Sequence, residues 1–231
     1  MEGRDLGREG ASDGAGPAPS KRVVILVGPC GSGKSTFAHE LMSRAPGWVR
    51  VCQDTISKGG KRGSRAQCVK ALRKALAEGK SVLVDRCHVT PEQRREFVGV
   101  ARDDPGVTAI DAVVFDFPLQ VLQHRVKYRI NHEGGVEGPR GAIVCATMRK
   151  QLMVRSNQPS LHEGFSSIHW VRDEVDKDGV LGTLVRGSSA AVGEKRARPQ
   201  AETREEGDCS GAEPQEGEKK AKKTEVIVID D

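Results

Sequence analysis

Residues 22–37 of the chain read RVVILVGPCGSGKSTF, and this stretch decides the fold class. Residues 22–27 are apolar at every position after Arg22, which is typical of a parallel strand buried on both faces. Residues 28–35 (GPCGSGKS) match G-x-x-x-x-G-K-[ST] in full, and residues 34–44 have the spacing of an amphipathic helix. Because strand, loop and helix follow in this order, the sequence predicts a phosphate-binding P-loop rather than a chance glycine-rich turn.

The residues of this loop have separate predicted roles in binding ATP and Mg²⁺. Glycines let the backbone wrap a phosphate without Cβ clashes, so that successive N–H groups point inward. Lys34 should reach the β- and γ-phosphates, the Ser35 hydroxyl should ligate Mg²⁺, and Thr36 is the weaker metal candidate. The residues predicted to hold the nucleotide are Gly28, Cys30, Gly31, Ser32, Gly33, Lys34, Ser35 and Thr36.

Apolar runs alternate with amphipathic segments through the middle of the chain. Further strands are predicted at residues 48–52, 81–84, 109–117 and 167–172. Helices are predicted at residues 65–78, 91–102 and 118–129, and from the end of a glycine-rich loop at 131–141 to about 154. This alternation predicts an α/β fold, a five-stranded parallel sheet with helices on both faces.

Charge and composition divide the 231 residues into three predicted segments. Residues 1–20 and 186–231 are poor in large apolar residues and are expected to be disordered tails. Each tail has a net charge of −2. Because the whole chain has a net charge of +5, the predicted domain at residues 21–185 has a net charge of +9. A basic domain suits an anionic ligand such as a nucleotide or nucleic acid, although a solvated basic surface is the alternative.

The cysteine pattern and the hydropathy exclude some classes of protein. Six cysteines occur without a C-x-x-C pair, which argues against a zinc site and against a disulfide framework. No apolar run approaches membrane-spanning length, and the N-terminus lacks an apolar signal core. We therefore expect a soluble intracellular protein.

Two acidic residues follow predicted strands and are expected at the cleft, because ligands of open parallel sheets bind at the carboxyl ends of strands. Asp54 could accept or orient a hydroxyl proton, although a turn or helix-cap role is the alternative. Asp85 could hold Mg²⁺ through water or bind substrate. Arg86 follows it and could contact a substrate phosphate, with a surface ion pair equally possible.

Basic residues flank the predicted cleft on two sides. Arg125 and Arg129 lie at the end of the fourth predicted helix, before the loop at 131–141, and are candidates for a lid that closes over the transferring phosphoryl group. They could equally interact with the helix dipole. Lys61 and Arg62 belong to a basic loop, residues 58–65, on the presumed acceptor side, where a nucleic-acid backbone would need cations.

Several of these segments together resemble the kinase domain of polynucleotide 5′-hydroxyl kinases. The resemblance lies in residues 28–37 (GPCGSGKSTF), 53–55 (QDT), 67–68 (QC) and 78–87 (EGKSVLVDRC). More specifically, residues 132–134 (HEG) and 161–165 (LHEGF) resemble the N-terminal kinase-like domain of plant aprataxin-like proteins, some of which are labelled basic helix-loop-helix transcription factors. No stretch of this chain reads as a basic helix-loop-helix region.

The resemblance implies an adenylate-kinase-like fold and ATP-dependent phosphorylation of a 5′-hydroxyl nucleic-acid end, DNA more than RNA, in strand-break repair. It implies that Asp54 is the general base, that Lys34 contacts the γ-phosphate, and that Arg125 is the best match to a lid arginine. Gln53 and Arg86 stand where related animal enzymes carry Arg and Asn, so acceptor recognition is expected to differ. A small-metabolite kinase and a non-catalytic module that binds nucleic-acid ends are the alternatives.

Two features of the C-terminal segment predict partners and location. Basic clusters at residues 195–199 (KRARP) and 219–223 (KKAKK) are consistent with nuclear import. Val226 to Asp231 (VIVIDD) resembles a SUMO-interacting motif, in which a short strand adds to the edge of a partner sheet. The alternative is a strand that docks on the protein's own sheet.

Overall fold

The computed structural model describes residues 20–57, 62–130 and 133–189. Within these residues five parallel strands form one sheet in the order β2-β3-β1-β4-β5. The strands are β1 (Lys21–Val27), β2 (Trp48–Cys52), β3 (Ser81–Asp85), β4 (Val107–Phe115) and β5 (Ser167–Val171). The predicted α/β class and parallel sheet are confirmed.

Helices connect the strands and cover both faces of the sheet. They are α1 (Lys34–Arg44), α2 (Arg65–Ala77), α3 (Pro91–Arg102), α4 (Leu119–Tyr128), α5 (Gly138–Met153) and α6 (Glu174–Ser189). Short 3₁₀ turns at Arg155–Asn157 and Leu161–Glu163 lead from α5 into β5.

The central strand β1 feeds two separate cores, because successive side chains of a strand point to opposite faces. Val23, Ile25 and Val27 pack on one side with α2 and α3, and Val24 and Leu26 pack on the other with α1, α4 and α6. All five side chains are fully buried, which explains why the strand is apolar throughout after Lys21 and Arg22.

Local sequence signals place the ends of several helices. Ser64 and Gln67 form a capping box at the start of α2, in which the Ser64 hydroxyl accepts from the Gln67 N–H and the Gln67 side chain accepts from the Ser64 N–H. Gly79, with φ of 73°, follows the end of α2 in the left-handed conformation that glycine adopts easily. Pro91 opens α3, where its missing N–H is not needed.

The structure differs from the prediction at three elements. β4 is shifted toward the N-terminus, since it begins at Val107 and ends at Phe115. α5 begins at Gly138, inside the predicted loop at 131–141, because Pro139 suits the first turn of a helix. α6 was not predicted, since its glycines weaken helix propensity, yet it buries Val180, Leu181 and Leu184 and extends past residue 185.

A fully buried arginine ties α3 to the 3₁₀ turns. Arg94 donates to both carboxylate oxygens of Glu163, at 2.8 and 2.7 Å, and to the carbonyl oxygens of His88 and Asn157, at 2.8 and 3.0 Å. Glu163 lies in the LHEGF segment at residues 161–165, so one function of this segment is to neutralise a buried charge.

Replacing Arg94 should destabilise the domain strongly, because it would leave the Glu163 carboxylate and two carbonyl groups without their donor. We expect Arg94→Ala to lower the free energy of unfolding by about 3 kcal/mol, measured by urea denaturation. Arg95→Ala removes the same charge from the neighbouring exposed position and should change it by less than about 0.5 kcal/mol. Equal losses for the two variants would contradict this account.

Candidate active site

The phosphate-binding loop connects β1 to α1 and is packed tightly against the rest of the domain. The Gly28 N–H donates to the Cys87 carbonyl at 2.8 Å, which ties the loop to the segment after β3. Gly31 has a φ of 79°, and a Cβ added there would lie 2.6 Å from Val126 Cγ2 and 2.9 Å from the Leu122 carbonyl oxygen. A side chain at this position would push α4 away from the loop.

Lys34 lies at the base of the loop with only 7 % of its surface exposed. Its Nζ donates to the carbonyl oxygens of Gly28 and Pro29, at 3.0 and 2.7 Å. Among the described residues it has no carboxylate partner. The positive charge of Lys34 is therefore uncompensated within this part of the chain and is placed where an anion would bind.

A cleft of about 800 Å³ opens over the loop, a size typical of small-molecule sites. The phosphate loop and the residues that follow β2 and β3 line the same cleft, so the residues predicted to bind ATP lie beside those predicted to bind the acceptor. The predicted site residues that line it are Cys30, Gly31, Ser32, Gly33, Lys34, Ser35, Thr36, Asp54, Arg62, Asp85, Arg86, Arg125 and Arg129. Gly28 adjoins the cleft through the loop, and Lys61 lies outside the described residues.

Asp54 and Arg62 form one wall of the cleft. Arg62 Nε donates to Asp54 Oδ1 at 2.7 Å, and the Arg62 side chain is 57 % exposed. Because an exposed ion pair contributes little free energy, Arg62 can leave Asp54 at small cost when a ligand competes for it. The wall thus combines a carboxylate with a displaceable cation.

Asp85 ends β3 and forms a buried ion pair that the sequence did not predict. Its Oδ2 accepts a hydrogen bond from Arg50 Nε at 2.8 Å and lies 2.7 Å from Arg50 Nη2 in an ion pair. Nη2 also donates to Glu133, in the turn before α5, at 2.9 Å. Burial disfavours the charged guanidinium, but Glu133 and Asp85 together raise the pKa of Arg50 above its ordinary value.

Arg86 lines the cleft with its side chain partly buried. Its Nη1 is buried without a hydrogen-bond partner among the described residues, and its guanidinium lies 5.6 Å from the centre of the Phe97 ring. Burial lowers the pKa of Arg86, and the positive charges of Arg65 and Arg62 act in the same direction. The surface ion pair considered from the sequence is not formed with any residue that the structure describes.

The two lid candidates line the opposite side of the cleft. The Arg125 guanidinium lies 4.7 Å over the Phe117 ring, and its Nη2 is 3.6 Å from Glu174 Oε1. Arg129 Nε donates to the Val136 carbonyl at 2.8 Å, and burial lowers the pKa of Arg129. Arg129 therefore holds the start of α5 against the end of α4.

His88 is a cleft residue that sequence reasoning missed. It has a φ of 47°, unusual for a residue other than glycine, and its ring is 2 % exposed. Nδ1 lies 3.0 Å from the Leu26 carbonyl oxygen, which requires an N–H at Nδ1 and leaves Nε2 as the acceptor. Burial lowers the pKa of His88 to about 3, so the ring is neutral near pH 7.

A family model described as an AAA domain matches residues 23–153. The chain belongs to this family of P-loop proteins. The match to the AAA-domain family includes the phosphate loop, the wall with Asp54, the end of β3 and the helix pair α4 and α5.

Individual relatives of this AAA-domain protein confirm the predicted resemblance. An Arabidopsis thaliana protein named transcription factor bHLH140 is 38 % identical over 182 residues, which are 75 % of this chain and 19 % of that protein. A bifunctional polynucleotide phosphatase/kinase of Schizosaccharomyces pombe is 28 % identical over 158 residues, which are 68 % of this chain and 35 % of that protein. The chain therefore spans about a fifth to a third of the length of these curated relatives.

Among solved structures, a fungal RNA kinase superposes with a TM-score of 0.56 at 20 % identity. The superposition covers 78 % of this chain and 93 % of the fungal chain. At this identity the likeness shows the fold.

Two features are absent from the described ranges. No helix there is long and apolar enough to cross a membrane. No group of three or more His, Cys, Asp or Glu residues there is placed to hold a metal ion.

The buried neutral state of His88 should make the stability of the domain pH-dependent. Because folding lowers the pKa of His88 to about 3, its contribution is complete above the unfolded pKa of about 6.5 and is lost as the pH falls through this interval. We expect unfolding free energy to fall by about 2 kcal/mol between pH 7.5 and pH 5 from this group.

Urea denaturation at several pH values checks this expectation. His88→Asn should remove most of the pH dependence, since Asn tolerates the left-handed backbone and does not titrate. His124→Asn, at an exposed position, should leave the dependence intact. Parallel pH profiles for the two variants would show that His88 is not the cause.

Proposed function

We propose that this chain is an ATP-dependent polynucleotide 5′-hydroxyl kinase that acts on DNA ends in strand-break repair. The proposal draws on the P-loop family, on the polynucleotide phosphatase/kinase of Schizosaccharomyces pombe as a relative, and on the two walls of the cleft. ATP is the phosphoryl donor, and the acceptor is the terminal hydroxyl of a polyanion.

The single observation that carries the proposal is the half-buried Arg86 side chain, whose buried Nη1 has no hydrogen-bond partner among the described residues, next to the wall with Asp54. A buried N–H without a hydrogen-bond partner is costly unless a ligand satisfies it. A phosphate matches a guanidinium in charge and in geometry. A metabolite without phosphate would leave Arg86 unsatisfied, so the site favours an acceptor with an anion close to the reacting hydroxyl.

The donor side of the site would hold the triphosphate through the loop. Lys34 neutralises the β- and γ-phosphates, and the N–H groups at the start of α1 face the same anion. The half-buried Ser35 hydroxyl fits a Mg²⁺ ion held mainly by nucleotide phosphates and water. Asp85 uses Oδ2 for Arg50, which leaves Oδ1 for a metal-bound water.

The acceptor side would prepare the hydroxyl for attack. Asp54 accepts the hydroxyl proton or a hydrogen bond from it as the oxygen approaches the γ-phosphorus in line with the leaving oxygen of ADP. Arg62 moves from Asp54 to the acceptor phosphate, which frees the carboxylate at the moment of binding. Arg125 and Arg129 stabilise the charge that develops on the transferred group.

The terminal segment extends the proposal to location and partners. The basic clusters at 195–199 and 219–223 would direct the protein to the nucleus, and Val226 to Asp231 would bind SUMO or a SUMO-modified protein. Both properties fit an enzyme that acts on DNA ends. These residues lie outside the part of the chain that the structure describes.

Transfer of labelled γ-phosphate from ATP to a 5′-hydroxyl oligonucleotide tests the proposal directly. We expect Asp54→Asn to lower kcat at least about 100-fold, because the general base is lost, while ATP affinity stays within about twofold. Asp103→Asn removes an exposed carboxylate outside the cleft and should leave kcat unchanged.

Three outcomes would overturn the proposal or part of it. Transfer to a nucleoside or a sugar, with none to the oligonucleotide, would identify a small-metabolite kinase. If neither the parent protein nor Asp54→Asn transfers phosphate, and both bind nucleic-acid ends equally well, the chain is a non-catalytic module. A preference for RNA over DNA in a competition assay would contradict the assignment to DNA ends.

Arg86 should determine the affinity for the acceptor and not the affinity for ATP. We expect Arg86→Gln to raise KM for the oligonucleotide about 10- to 100-fold, equivalent to one charged hydrogen bond, with little change in KM for ATP. Arg95→Gln, on the exposed face of α3, is the matched control. Equal changes in both KM values would place Arg86 outside the acceptor site.

A further inference from the structure

Arg50 occupies a position that no function proposed so far requires. It lies on β2, next to β3, and its side chain is only 8 % exposed. A buried arginine on a strand is costly unless all its charge is compensated, and here two carboxylates compensate it. Asp85 accepts a hydrogen bond from Nε and forms an ion pair with Nη2, and Glu133 accepts a hydrogen bond from Nη2.

The two partners of Arg50 differ in burial. The Asp85 side chain is 4 % exposed, whereas the Glu133 side chain is 43 % exposed. Separating Arg50 from Asp85 would bury two unpaired charges, whereas separating it from Glu133 exposes the carboxylate to water. The first contact is therefore permanent in the folded state, and the second can open and close.

Closure of the second contact brings the backbone onto Asp54. Glu133 is followed by Gly134, and a Cβ added to Gly134 would lie 2.5 Å from Asp54 Oδ2. The backbone at this residue thus lies directly against the carboxylate that the proposed function uses as base. While Glu133 binds Arg50, little room remains for water beside Asp54.

We propose that Arg50 is a positioning residue that fixes Asp85 beside the phosphate loop and, through Glu133, closes the turn at 133–134 over Asp54. The inference rests on the proposed function and extends it to the exclusion of water. In the unwanted reaction a water oxygen bonds to the γ-phosphorus, the bond to the β-phosphate oxygen breaks, and ADP, phosphate and one proton are released. The closed turn suppresses this reaction until the acceptor end displaces the turn from Asp54.

Hydrolysis of ATP without acceptor tests the closure independently of transfer. We expect Glu133→Ala to raise the rate of ADP formation at least about fivefold, because the turn no longer stays closed, and to lower the phosphate transferred per ATP consumed. Glu133 is exposed, so the variant should keep its unfolding free energy within about 0.5 kcal/mol. Glu96→Ala removes an exposed carboxylate outside the cleft and should match the parent protein.

Arg50→Met adds a second measurement, because it removes both contacts and leaves Asp85 unpaired. We expect it to raise hydrolysis as Glu133→Ala does and, in addition, to weaken ATP binding in the presence of Mg²⁺. Unchanged hydrolysis in Glu133→Ala would overturn the inference, as would a parallel fall of hydrolysis and transfer. Absence of transfer in the parent protein would instead overturn the proposed function and leave the hydrolysis test decisive for closure.

Discussion

The seam between β1 and β3 is the constraint on which the rest of the site depends. Leu26 pairs with Asp85 in the parallel register, and just beyond this pair the Gly28 N–H donates to the Cys87 carbonyl. These contacts fix the start of the phosphate loop against the segment that carries Asp85 and Arg86. Since both strands are buried on both faces, a slip of the register would expose apolar side chains and move the donor and acceptor residues apart.

The buried cations of the domain separate structural charges from charges available to ligands. Arg94 and Arg50 are each satisfied by carboxylates within the described residues. Among the residues that the structure describes, Lys34 has only carbonyl and hydroxyl oxygens as partners, and Arg86 has an N–H without a partner. Lys34 and Arg86 both line the cleft, and their positive charges give it a positive potential before any ligand binds.

Much of this arrangement could be predicted from the sequence, because it depends on local signals. The P-loop motif identifies its own structure, and apolar runs followed by Asp54 and Asp85 place both carboxylates at the carboxyl ends of neighbouring strands. Arg50 could not be found in this way, since its role depends on which strand lies next to β2. Glu133 depends on a long loop closing back onto that strand, and α6 has too many glycines to resemble a helix.

The cleft is completed by α6, because Glu174 and Lys177 of this helix line it together with the phosphate loop. On the ribosome, the phosphate loop is synthesised long before α6. At about 5–20 residues per second the interval is on the order of ten seconds. During translation the nascent chain therefore presents Lys34 and its glycines without the wall that encloses them. The full lining of the cleft therefore exists only after the chain has been synthesised through α6.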